Sequence, residues 1–227
     1  MGVWLCMIKE YSFKGHPYKI ECSDVHASWW THEDEHEVRM RQWDIQPGEV
    51  VLDIGAAYGS YSLIALALGA EYVFAWSPQG PPGQEPERVL FEKSLLLNGW
   101  QDKAIVYNSG LYNQTGWLNV DTQQMVEPQE HPSVIKVETL DGWTSRVDPN
   151  KVDWLKLDVE GAEVEVLKSG IETIKKFKPK IQIENHLFVR NTIAEEIRDL
   201  LLPLGYIEIE NVPYHSVSHS LFHPGGV

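Results

Sequence analysis

Cysteine is nearly missing from this sequence: Cys6 and Cys22 are the only two in 227 residues. A disulfide framework and a cysteine-based metal cage are thereby excluded. Basic residues are scarce as well, with 19 Lys and Arg against 33 Asp and Glu, a formal charge of −14 with His neutral. Such a surface repels phosphate backbones and anionic headgroups, so neither nucleic acid nor membrane is the expected partner. No apolar run approaches the ~20 residues that span a bilayer. The opening MGVWLCMIKEYSF has neither a basic leader nor a small-residue cleavage site, and a cytoplasmic location is expected. Internal repeats and low-complexity tracts are lacking too. Aromatic residues are what the chain has in excess, nine Trp and nine Tyr, and these can fill a core or line a cleft.

A chain of this length suits one domain covering 1–227. Residues 1–45 read as an extension made of a small hairpin and an amphipathic helix. Over 46–227, short β-type runs alternate with helical patterns. Strands are expected at Val50–Ile54, Tyr72–Trp76, Ala104–Tyr107, Val152–Asp158 and Lys180–Glu184, with final ones at Tyr206–Ile209 and Ser218–Phe222. Helices are expected at Ser60–Leu68, Glu87–Leu97, Ala162–Lys168 and Thr192–Leu202. Gln79–Gln84 is a Pro/Gly-rich loop, and 112–139 reads as an inserted hairpin. This alternation predicts an α/β fold with a mostly parallel sheet, its ligand lying outside the carboxyl ends of the strands.

The first chemical motif, Asp53-Ile54-Gly55-Ala56-Ala57-Tyr58-Gly59, leaves a strand and opens a helix at Ser60. Gly55 and Gly59 allow a tight turn and a close approach to a ligand. The helix start behind them offers free amides to an anionic group. Asp53 is placed to accept from an amine or from the loop backbone. A turn of this kind also serves nicotinamide or flavin cofactors, or packing alone. The dinucleotide fingerprint fails, because Ala57 stands at its second glycine slot and Tyr58 crowds a pyrophosphate. A ligand with a zwitterionic tail fits better.

The second motif is Trp154-Leu155-Lys156-Leu157-Asp158-Val159-Glu160-Gly161-Ala162-Glu163. An apolar strand delivers Asp158 to its carboxyl end, and Glu160 and Glu163 follow at the start of the next helix, where acids suit the dipole. Helix capping accounts for Glu163 but not for Asp158. With VVLDIGAAYGSYSL, LLLNGW, WLKLDVEGAEVEVLKSG and IQIENH in this order, the chain resembles the FkbM-type family of S-adenosylmethionine-dependent methyltransferases, from about Glu35 to its closing SHSLFHP. The resemblance implies a Rossmann-like class I methyltransferase fold: a mostly parallel seven-stranded sheet with helices on both faces.

It further implies that Asp53, Gly55, Ala56, Ala57, Tyr58, Gly59 and Ser60 cradle the methionine part of S-adenosylmethionine. Asp158 then lies beside the reactive centre, Glu184 takes the acidic position after the fifth strand, and Glu35 faces the cofactor. Two positions depart from the family. Ala57 stands where Asn is usual. Trp76 and Ser77 stand where the strand end reads A-F-E-P, so a hydroxyl replaces the glutamate that grips the ribose, and weaker cofactor binding is expected. Gln79 or Glu85 of the following loop are candidates to compensate.

For a hydroxyl acceptor the protein must also take up a proton, and Asp158, Glu184 and His186 are the candidate catalytic residues. The same trio has the donor chemistry of a Mg²⁺ or Mn²⁺ site. His32-Glu33-Asp34-Glu35-His36-Glu37 reads instead as a solvated helix face, and His215, His219 and His223 receive no role. The function expected is O-methylation of a small molecule or sugar. The alternatives are a degenerate methyltransferase fold serving as a binding or scaffold module, and a nucleotide-sugar or nicotinamide enzyme on a similar sheet.

Overall fold

A computed structural model of the chain describes residues 6–23, 42–78, 87–129, 131 and 133–225. It begins with an antiparallel hairpin of β1 (Cys6–Phe13) and β2 (His16–Ser23), turning at Lys14-Gly15. The amphipathic helix expected next falls within 24–41, outside the described residues. Four elements follow: β3 (Val50–Ile54), α1 (Ser60–Ala67), β4 (Tyr72–Trp76) and α2 (Glu87–Asn98). The hairpin docks on α2 through backbone groups that have no strand partner on that side among the described residues. Asn98 accepts from Lys19 N at 2.8 Å and donates to Lys19 O at 2.7 Å, and Ser94 Oγ accepts from Glu21 N at 2.8 Å. Ser94 and Asn98 are four apart, so one helix face serves both contacts. Tyr18, Ile20 and Cys22 bury themselves beneath.

After β5 (Ala104–Tyr107) the chain makes β6 (Gly110–Leu111), β7 (Gly116–Asn119), β8 (Gln124–Val126) and β9 (Val134–Glu138). These form a separate four-stranded sheet in the order β6-β9-β7-β8. The expected hairpin is therefore only its β7–β8 part; β9 returns to pair with β7 and runs parallel to β6. Next come α3 (Leu140–Val147), capped by Thr139 Oγ1 accepting from Gly142 N, then β10 (Trp154–Leu157), α4 (Glu163–Lys168), α5 (Ile171–Phe177), β11 (Lys180–Asn185) and α6 (Ile193–Leu201). Two long strands, β12 (Tyr206–Tyr214) and β13 (Val217–Pro224), close the chain as a hairpin.

The main sheet has seven strands in the order β12-β13-β11-β10-β3-β4-β5. Strands β11, β10, β3, β4 and β5 run parallel, and β13 is antiparallel to both of its neighbours. Side chains alternate between two cores, as the strand period requires. Val51, Val73, Ala75 and Trp154 face α1, α2 and the hairpin, whereas Leu52, Ile54, Phe74, Trp76, Leu155 and Leu157 face α3, α4 and α6. No helix among the described residues is long and apolar enough to cross a membrane.

Candidate active site

The glycine loop leaves β3 beneath the carbonyl of Trp76, which accepts from Gly55 N at 3.2 Å and Ala56 N at 2.8 Å. Gly55 and Gly59 have φ of +83° and +80°. A Cβ on Gly55 would lie 1.7 Å from the Asp158 carbonyl oxygen, and one on Gly59 would lie 2.0 Å from the Phe91 ring. The closest approach these glycines permit is thus to the protein itself rather than to a ligand. Ala57 is exposed and also left-handed, φ +48°, a conformation Asn adopts more readily than Ala. Tyr58 is turned onto the start of α2, where its phenol hydrogen-bonds Glu87; burial, then the Glu87 charge, raise its pKa. Ser77 is buried, and its hydroxyl donates to Ala57 O at 3.0 Å, so it braces the loop. The Trp76 ring lies on the opposite sheet face, edge-to-face with Trp143, and only its carbonyl reaches the loop.

Beneath the loop lies a buried charge cluster. Asp53 and Lys156 are register partners on β3 and β10, and Lys156 shares its sheet face with Asp158 two residues on. Lys156 Nζ sits 3.2 Å from Asp53 Oδ1, 3.5 Å from Asp158 Oδ2 and 2.7 Å from Gly55 O, with the Tyr61 ring centroid 4.8 Å away. The second Asp53 oxygen accepts from Ser62 Oγ at 2.6 Å. Burial works to lower the Lys156 pKa, but the charges of Asp53 and Asp158 and the hydrogen bond to Asp53 reverse this, and the ammonium stays charged.

The third group gathers around His186, just past β11. Its Nδ1 lies 2.7 Å from Oε1 of the fully buried Glu163. That oxygen also accepts from Val159 N at 3.2 Å and Gly161 N at 3.1 Å. Glu163 therefore caps the turn after β10 and fixes the imidazole. The other ring nitrogen faces Glu160, Asp158 and Glu184 at 3.4, 3.7 and 3.8 Å. Burial pushes the His186 pKa down, yet the Glu163 hydrogen bond and the charges of Glu163, Asp158 and Glu160 raise it to about 9. Exposed Phe188 stands edge-to-face on this ring at 5.6 Å, and Val189 covers Gly161, giving the acidic cluster an apolar rim.

Asp158, Glu184 and His186 are thus brought together, with one ligand atom of each within 4.8 Å of the others. Gly55, Ala56, Ala57, Tyr58 and Gly59 form one loop between Asp53 on β3 and Ser60 at the start of α1, and Gly55 backs onto Asp158. Glu35, Gln79, Glu85 and the His32–Glu37 cluster lie outside the described residues. Lys156 was absent from the predicted site. The alternation Trp154-Lys156-Asp158 puts the lysine on the face of Asp158, but its second acid, Asp53, stands on the neighbouring strand. The second role of Glu163, holding His186, could not be read from the first turn of a helix.

A mostly parallel seven-stranded sheet with one antiparallel strand beside the last, and a glycine loop at its carboxyl edge, define the class I Rossmann-like methyltransferase fold. Residues 53–208 match the methyltransferase FkbM domain, and the chain belongs to that family. The crystal structure of methyltransferase FkbM from Methylobacillus flagellatus KT shares the fold with a TM-score of 0.57 and 18% identity, over 78% of this chain and 44% of that one. The chain therefore spans less than half the length of that protein. Precorrin-6y C5,15-methyltransferase from Geobacter metallireducens GS-15 is also similar, with a TM-score of 0.51 and 14% identity over 86% of this chain and 90% of that one. No curated protein matches the sequence. Family membership removes the nucleotide-sugar and nicotinamide alternatives.

Proposed function

We propose that the chain methylates a hydroxyl of a small molecule or carbohydrate. The observation that carries this reading is the convergence of Asp158, Glu184 and His186 beside the glycine loop. S-adenosylmethionine supplies an electrophilic methyl group when bound. The loop suits its zwitterionic tail, with the first amides of α1 for the carboxylate. As the acceptor oxygen takes the methyl group, its proton passes to Asp158 or Glu184. His186, protonated near neutral pH, holds both carboxylates in place. The rim of Phe188 and Val189 gives the apolar face of a sugar or other small ring a surface to rest on. A surface of net charge −14 disfavours duplex nucleic acid as acceptor.

S-adenosylhomocysteine at about a hundredfold excess over its Kd should stabilise the protein by about 2.7 kcal/mol. In thermal melts this is a rise of roughly 5–10 °C in Tm. An unchanged Tm at millimolar ligand would favour the scaffold alternative. With stabilisation established, transfer of labelled methyl to a panel of glycosides and phenols tests the acceptor class.

A second reading is favoured by the Glu163 contact. A carboxylate on Nδ1 is the usual support of a metal-bound histidine, leaving Nε2 directed at Asp158 and Glu184. Mg²⁺ or Mn²⁺ held there would displace the Nε2 proton and polarise the acceptor oxygen. On this reading methyl transfer is lost in EDTA and restored by Mn²⁺; full activity in excess EDTA decides against it.

A further inference from the structure

We infer that Lys156 is a positioning residue that ties the glycine loop to the acidic cluster and sets the affinity for the amino-acid tail of the cofactor. The inference rests on the proposed role of the loop. Lys156 Nζ donates to the carbonyl of Gly55, at the residue where the chain turns with φ +83°. From the same point it holds Asp158 Oδ2 at 3.5 Å, while Asp158 Oδ1 faces His186 Nε2 at 3.7 Å. One buried ammonium thereby touches the backbone expected to meet the tail and the carboxylate expected to meet the acceptor. Packing alone does not call for a charge here: a buried ion pair carries a desolvation cost that an apolar pair of similar size avoids. What the lysine adds is a fixed direction for the Gly55 carbonyl and for Asp158. Asp53 is fully buried against Ser62 and Lys156, so it acts on a ligand only through them.

The test compares two ligands. S-adenosylhomocysteine carries the amino-acid tail, and 5′-methylthioadenosine lacks it. Wild-type binding of S-adenosylhomocysteine reports on the methyltransferase reading itself. In the double variant Asp53→Asn/Lys156→Met the buried charges are removed together, and affinities are measured by calorimetry against Asp53→Asn alone. Affinity for S-adenosylhomocysteine should fall at least tenfold, and that for 5′-methylthioadenosine less than threefold. A smaller loss for the first ligand, or an equal loss for both, overturns the inference, because a general disturbance of the pocket moves both. If the double variant does not fold, the wild-type protein supplies the answer. The Lys156 ammonium signal in ¹H–¹⁵N spectra should shift with S-adenosylhomocysteine and stay in place with 5′-methylthioadenosine. An unshifted signal at saturation with S-adenosylhomocysteine overturns it equally.

Discussion

Replacing Lys156 by Met is expected to destabilise the protein by about 3–5 kcal/mol, the range for removing one partner of a buried ion pair. In urea unfolding this is a shift of roughly 1–3 M in midpoint. The methionine fits the volume, so the loss is electrostatic. Asp53 is fully buried, and without the ammonium it keeps only the Ser62 hydroxyl at 2.6 Å. Gly55 O loses its donor at 2.7 Å at the same time. Asp158 suffers less, being partly exposed. Neutralising Asp53 as well should therefore recover most of the loss, and Asp53→Asn/Lys156→Met should unfold within ~1–2 kcal/mol of wild type. A Lys156→Met variant as stable as wild type would show that Asp53 finds another partner or a proton, and that the buried ion pair does not set the stability of this sheet edge.

The same cluster shows how far the sequence could be read. The main sheet was legible because its strands are runs of apolar or alternating residues, several of them closed by Gly, Asn or Asp, as at Val50–Ile54 before Gly55. The candidate site was legible because its residues occupy strand ends, which the α/β topology brings to one edge. Lys156 was not, since a lysine inside an apolar run reads as a solvent-facing residue until the neighbouring strand is known to set Asp53 opposite it. Helix α3 escaped for a different reason. Its Leu-Asp-Gly-Trp-Thr-Ser-Arg-Val is poor in strong helix formers, and what holds it is the Thr139 cap together with burial of Leu140 and Trp143. The four-stranded sheet escaped because β6 has two residues, too few for any period, and its pairing with β9 spans more than twenty positions. The purpose of the loop glycines was read only in part. Their φ values agree with a tight turn, but their missing Cβ atoms make room for Asp158 and Phe91.

That last point carries the second large effect. Gly55→Ala is expected to cost about 2–5 kcal/mol, from backbone strain and overpacking together, and to abolish binding of S-adenosylhomocysteine. A left-handed Ala costs roughly 1–2 kcal/mol by itself. The rest comes from the clash, since the new Cβ would stand 1.7 Å from Asp158 O and 2.8 Å from Asp158 C. Both are backbone atoms at a point where Asp158 N still donates to Ile54 O at 3.0 Å, so relief requires β3 and β10 to part at their carboxyl ends. Parting them displaces Asp158 from Lys156 and His186, and the loop and acidic cluster lose their common frame. Gly48→Ala is the control, because Gly48 has φ +88° with nothing within 4 Å of the added Cβ. It should lose only the conformational ~1–2 kcal/mol and keep its ligand affinity. Equal unfolding midpoints for the two variants would mean that the strand ends yield freely, and that the close approach of Gly55 to Asp158 does not set the geometry of the site.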